Sequence, residues 1–75
     1  MFRDLVVEEL VKARSKHKPI HSVHEGYSLI LEEVDEFWEE VRKKAAKRTA
    51  AALLAELVQI AALAQKTAED LGLLP

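Results

Sequence analysis

The chain has 75 residues, a formal net charge of −2, 32% charged and 49% hydrophobic residues, and no cysteine. That length holds one domain, residues 1–75, with no disulfide to staple it. The charged fraction argues against disorder, and the near-neutral balance removes any global pull towards nucleic acid or a membrane surface. Alanine, leucine, glutamate and lysine dominate, and only two glycines and two prolines interrupt them, which is an all-α composition.

A first helix is expected from about Phe2 to Ser15, with Phe2, Val6, Leu10 and Ala13 as its apolar stripe and Leu5 beside it. Asp4, Glu8 and Glu9 lie inside this segment and no small-residue cleavage site follows it, so it does not read as a signal peptide. Pro19 breaks the helix, because proline disfavours helical geometry at the residue before it. His17–His21 is then a short linker.

The second helix begins after Ser22, where Ser22 and Glu25 fit an S-x-x-E capping box. At about 100° per residue, Tyr27, Ile30, Leu31, Val34, Phe37, Trp38, Val41 and Ala45 share one arc. Glu25, Glu32, Glu36, Glu39 and Glu40 fall opposite, and Glu33 sits at the border, the carboxylate best placed for partial burial.

The third helix is expected from about Thr49 to Leu71, with Gly72 as a left-handed stop. Leu53, Leu54, Leu57, Ile60, Ala61, Ala64, Ala68 and Leu71 form a wide apolar face. Lys43–Ala52 contains no glycine or proline, so periodicity alone leaves open a single bent helix in place of the second and third. The apolar run Ala50–Ala64 is interrupted by Glu56 and Gln59 and is too short to span a bilayer. A cytoplasmic protein with no membrane partner is expected. The apolar content exceeds what a thin three-helix unit hides, which predicts self-association.

The chemistry concentrates in Leu31–Glu40, LEEVDEFWEE, with six carboxylates in ten residues and no lysine or arginine between Lys18 and Arg42. Glu32/Glu36, Asp35/Glu39 and Glu36/Glu40 are like-charge pairs four apart, which repel on a helix. A helix selected only for stability would interleave lysines; one that holds a divalent cation would look like this. The competing reading is a solvated acidic face. Glu32, Glu33 and Glu36 form an E-E-x-x-E motif, and Glu56 and Gln59 an E-x-x-Q motif on the next helix. In an antiparallel pair these oxygens approach one another and suit Mg²⁺ or Mn²⁺. Alternatively Glu56 and Gln59 face water along a polar stripe with Lys66 and Asp70. His21 and His24 lack the further ligands that a zinc site needs.

This constellation resembles the MazG-like all-α nucleoside triphosphate pyrophosphohydrolases, which carry E-E-x-x-E on one helix and E-x-x-D on the next. Nineteen residues separate Glu36 from Glu56, in keeping with the family's helix–turn–helix. The stretch IHSVHEGYSLILEEVDEFWEEV (20–41) is similar to the H-E-G-Y…E-E-x-D-E-x-W segment of short bacterial and phage-type members. ELVQIAALA (56–64) is similar to their E-x-x-Q-x-A-A-x-A helix. The resemblance covers about Pro19 to Leu71 and implies a three-helix chain in an oligomeric bundle, a homodimer or homotetramer.

It further implies cleavage of a nucleoside triphosphate between the α and β phosphates, in nucleotide-pool control. Mg²⁺, with Mn²⁺ as a second choice, would be held by Glu32, Glu33, Glu36, Glu56 and Gln59, with Glu33 and Glu36 as the catalytic carboxylates. Lys44, Lys47, Arg48 and His24 would meet the substrate. For the three cations the local reading is compensation at a helix C-terminus, and for Trp38 and Tyr27 it is core or interface packing. Gln59 departs from the family, since glutamine ligates without adding negative charge. The alternative is a catalytically lapsed helical oligomerisation or regulatory module. A nucleic-acid partner is not expected, because the acidic block repels phosphate.

Overall fold

A computed structural model describes all residues, 1–75, and the chain is all-helical: α1 (Phe2–Lys16), α2 (Val23–Val41), a single 3₁₀ turn (Ala45–Lys47) and α3 (Ala50–Asp70). The capping signals act where the sequence places them. Ser22 Oγ accepts from the Glu25 N–H at 3.0 Å. Glu25 Oε1 reaches back to the N–H of His21, one residue before the cap, at 2.6 Å. Thr49 Oγ1 caps α3 by accepting from the Ala52 N–H at 3.1 Å. At the far end Gly72 adopts φ +65°, and Gly72 and Leu73 donate to the carbonyls of Glu69 and Ala68 at 3.2 and 2.9 Å, the pattern of a Schellman stop.

α2 and α3 are separate helices, although neither glycine nor proline divides them. Five cations lie between Arg42 and Arg48. A continuous helix would place Lys43 over Lys47 and Lys44 over Arg48, each a repelling pair four apart. The break swings them into a turn, where Lys44 takes ψ 145° and the Arg48 guanidinium donates to the Lys43 carbonyl at 3.1 Å.

α3 is the central element. α1 and α2 both pack against it, and no Cα of α1 comes within 8 Å of one in α2. Val6, Leu10, Ile20, Val58 and Ala62 are the buried apolar side chains. Burying an aliphatic side chain contributes about 1.5–3 kcal/mol, so this small core needs polar help. That help ties the linker to the end of α3. Asp70 Oδ2 accepts from the Ile20 N–H at 2.9 Å and from Lys66 Nζ at 2.7 Å, and Asp70 Oδ1 accepts from Arg14 at 2.7 Å. Lys66 Nζ also donates to the Lys18 carbonyl at 3.0 Å. Burial alone would push the Asp70 carboxyl up, but these donors outweigh it and hold it well below the usual carboxylate range. The alternative reading, a water-facing stripe that Glu56 and Gln59 share with Lys66 and Asp70, fails at its far end: Lys66 is buried, and the Asp70 side chain is 5% exposed.

The apolar arcs also turn differently from the reading by periodicity. On α2 the side chains that face α3 or are partly covered are Gly26, Leu29, Ile30, Glu33, Phe37, Glu40 and Val41. The centre of the expected arc, Tyr27, Leu31, Val34 and Trp38, stays exposed at 41–66%. On α3 the buried line is Val58, Ala62 and Lys66, while Leu54 and Leu57 are exposed. On α1, Val6 and Leu10 are buried as expected, and Phe2 is exposed.

Candidate metal centre

Where α2 and α3 come together, the spacing is set by Gly26. A Cβ built there would stand 2.6 Å from Thr67 Cγ2, so only glycine lets the two backbones approach this closely. Two turns further along α2, the inward line reaches Glu33. Because the helices run antiparallel, its counterpart on α3 is Glu56, and Glu36 joins from the next turn. One carboxylate oxygen from each of Glu33, Glu36 and Glu56 lies within 4.8 Å of the other two. Oxygens on one Mg²⁺ are at most about 4.2 Å apart and those on Ca²⁺ about 5 Å, so a small side-chain rotation separates this arrangement from a ligand set.

The electrostatics are those of an uncompensated site. Glu33 Oε2 and Glu56 Oε2 are buried and receive no hydrogen bond. Burial, then the neighbouring Glu36 charge, then Glu56 push the Glu33 carboxyl up to about 7. Glu56 is raised for the same first two reasons, with a further contribution from the charge of Glu40. Orphaned buried carboxylate oxygens are costly unless paired or ligating a cation. Three hard oxygen donors from two helices, with no cation of the chain among them, are a donor set that could hold a hard divalent ion.

The sequence-predicted residues divide into two groups. Glu33, Glu36 and Glu56 come together, and Glu33 is half-buried as its border position implied. Glu32 is exposed and Gln59 half-buried, and both line an adjoining groove, outside the three-carboxylate set. His24 is exposed in the first turn of α2, and Lys44, Lys47 and Arg48 are exposed in the turn before α3. No histidine belongs to any cluster with metal-ligand spacing. Glu40, assigned by periodicity to the solvent side, is instead half-buried, near enough to Glu56 to raise it, and ion-paired to Lys43 at 2.9 Å. Its position four residues after Glu36 and seven after Glu33 was the available signal, because both spacings return to the same helix face.

Comparison with protein-family models, with curated proteins and with solved structures returned no match.

Proposed function

We propose that this chain is a divalent-metal-dependent nucleoside triphosphate pyrophosphohydrolase of the MazG-like kind, acting on cytoplasmic nucleotide pools. The observation that carries this reading is the trio Glu33, Glu36 and Glu56, with two buried oxygens that no donor satisfies. Folding alone gives no reason to bring them together, whereas a ligand with two positive charges does. A bound Mg²⁺ or Mn²⁺ would neutralise phosphate charge and polarise the anhydride. Glu33, Glu36 and Glu56 would hold such an ion, Glu36 being the most exposed of the three. Burial and the neighbouring carboxylates push Glu33 up to about 7 in the metal-free chain, so a cation taking this site would compete with a proton there. An exposed carboxylate, of which Glu36 is the nearest, orients a water for attack at phosphorus. Gln59 contributes an amide and no charge, which favours weaker metal retention than an aspartate would.

The same reading includes self-association. Tyr27, Leu31, Val34 and Trp38 are spaced four, three and four apart, the seam of a two-helix knobs-into-holes contact. No element of this chain covers that seam, and a second copy supplies the matching one.

A panel of canonical and modified ribo- and deoxyribonucleoside triphosphates, incubated with Mg²⁺ or Mn²⁺, tests the activity. Release of pyrophosphate and nucleoside monophosphate, abolished by Glu33→Gln or Glu36→Gln, is expected. A melting temperature raised by Mn²⁺ with no pyrophosphate from any substrate would instead favour the lapsed module, for which the loss of charge at Gln59 is the specific argument. No metal response at all would defeat both.

A further inference from the structure

Because the backbones of α1 and α2 stay apart, a groove of about 730 Å³ lies between them over α3, within the size range of small-molecule sites. Ala62 and Leu63 on α3 and Ile20 on the linker line it together with Gln59 and Lys66; its α2 wall carries Glu25, Glu32 and Glu33, the last shared with the three-carboxylate trio. The opposite wall carries Lys12, Lys16 and Lys18, with Glu9 one turn before Lys12. All three are exposed, and none forms an ion pair, in contrast to Arg14 between them, which is engaged by Glu69 and Asp70. Lys12 and Lys16 are stacked four apart on α1, a repelling pair. The linker that carries Lys18 is fixed: its carbonyl accepts from buried Lys66, and the next-but-one N–H is held by Asp70. The groove is thus preformed, with three cations that form no ion pair on one side and the carboxylates of α2 on the other.

We propose that this groove binds the polyphosphate of an anionic small molecule, with Lys12, Lys16 and Lys18 contacting phosphate oxygens while the opposite end of the chain of phosphates meets the ion at Glu33. The bare acidic wall repels phosphate, and an ion there reverses the sign. The lysine wall acts with or without that ion. The proposal rests on the metal-centre reading for its acidic wall only, and it assigns phosphate recognition to the α1 side of the molecule, not to the Lys44/Lys47/Arg48 turn.

The probe is inorganic tripolyphosphate, titrated as the preformed Mn²⁺ complex and separately in EDTA. Three proteins are compared: the unmodified chain, a Lys12→Gln/Lys16→Gln/Lys18→Gln variant and a Lys44→Gln/Lys47→Gln/Arg48→Gln variant. The groove variant should bind at least about tenfold more weakly, the loss of one charge-assisted contact. The turn variant should stay within about threefold of the unmodified chain. The Mn²⁺-induced rise in melting temperature should be the same in all three. Absence of that rise in the unmodified chain would remove the metal centre and leave the EDTA titration to test the lysines. A groove variant that binds like the unmodified chain, an equal loss in the turn variant, or no binding by the unmodified chain in either titration would overturn the proposal.

Discussion

Along α3 two groups of carboxylates are withdrawn from water, and they are treated in opposite ways. At the C-terminal end Asp70 collects an ammonium, a guanidinium and a backbone N–H, and its carboxyl lies far below the usual range. In the first half of the helix Glu56 meets Glu33 and Glu36, receives no donor, and is pushed up together with Glu33. Burial acts in the same direction at both places; what differs is whether donors were supplied. The first group holds the linker and α1 onto α3. The second opposes folding in the absence of a ligand, and that contrast is what makes it the candidate site.

The contrast is broken most severely at its compensated end. Asp70→Ala leaves the buried Lys66 ammonium with the Lys18 carbonyl but no counter-charge, and frees the Ile20 N–H. Removing one member of a buried pair costs about 3–5 kcal/mol, a large share of what a domain of this size has. Urea unfolding should show it, and a loss below about 1 kcal/mol would mean that the linker is held by packing alone.

The uncompensated end should respond to pH with the opposite sign. Glu33 binds its proton more tightly in the folded chain, so between 4.5 and about 7 the folded state carries more protons than the unfolded one. Metal-free stability therefore falls as pH rises through that window, by on the order of 2 kcal/mol, and levels off above it. Asp70 behaves inversely: its contribution is fully present above its ordinary value of 3.8 and is lost as pH falls well below it. Glu33→Gln should flatten the slope between pH 5 and 8, raise metal-free stability at pH 8 and abolish the Mn²⁺ response. Denaturation in EDTA at the two pH values measures the first two effects; an unchanged slope would mean that Glu33 is solvated in solution.

The smallest expected effect tests the spacing that brings the acids together. Gly26→Ala would press a methyl group onto Thr67, whose hydroxyl is held by the Leu63 carbonyl at 2.7 Å. Overpacking outweighs the gain in helix propensity, for a net loss of about 1–2 kcal/mol. Thr67→Ala in the same chain should recover most of it, and the Mn²⁺ response should shrink in the single variant as α2 is wedged away from α3. Full stability in Gly26→Ala would show that the helices have room to spare.

Much of the fold was legible in one dimension. Pro19, the Ser22/Glu25 pair, Thr49 and Gly72 act through the few residues beside them, so their spacing alone located the ends of α1 and α3 and the start of α2 to within a residue or two, while the end of α2 at Val41 had no such signal. The pairing of Glu33 and Glu36 with Glu56 was legible for a similar reason: motifs on adjacent antiparallel helices must pass each other.

Which way α2 and α3 face was decided only by the tertiary structure. Periodicity finds the most apolar arc of α2, centred on Leu31 and Val34, but this chain turns that arc outward and lays Glu33 and Glu40 against α3. Lys66 and Asp70 read as solvent-facing because each is charged, and they are buried because each neutralises the other across one helical turn, with Arg14 and the linker arriving from more than forty residues away. Hydrophobicity is a property of a residue and can be summed along a sequence. Compensation of a buried charge is a property of neighbours, and those exist only once the chain has folded.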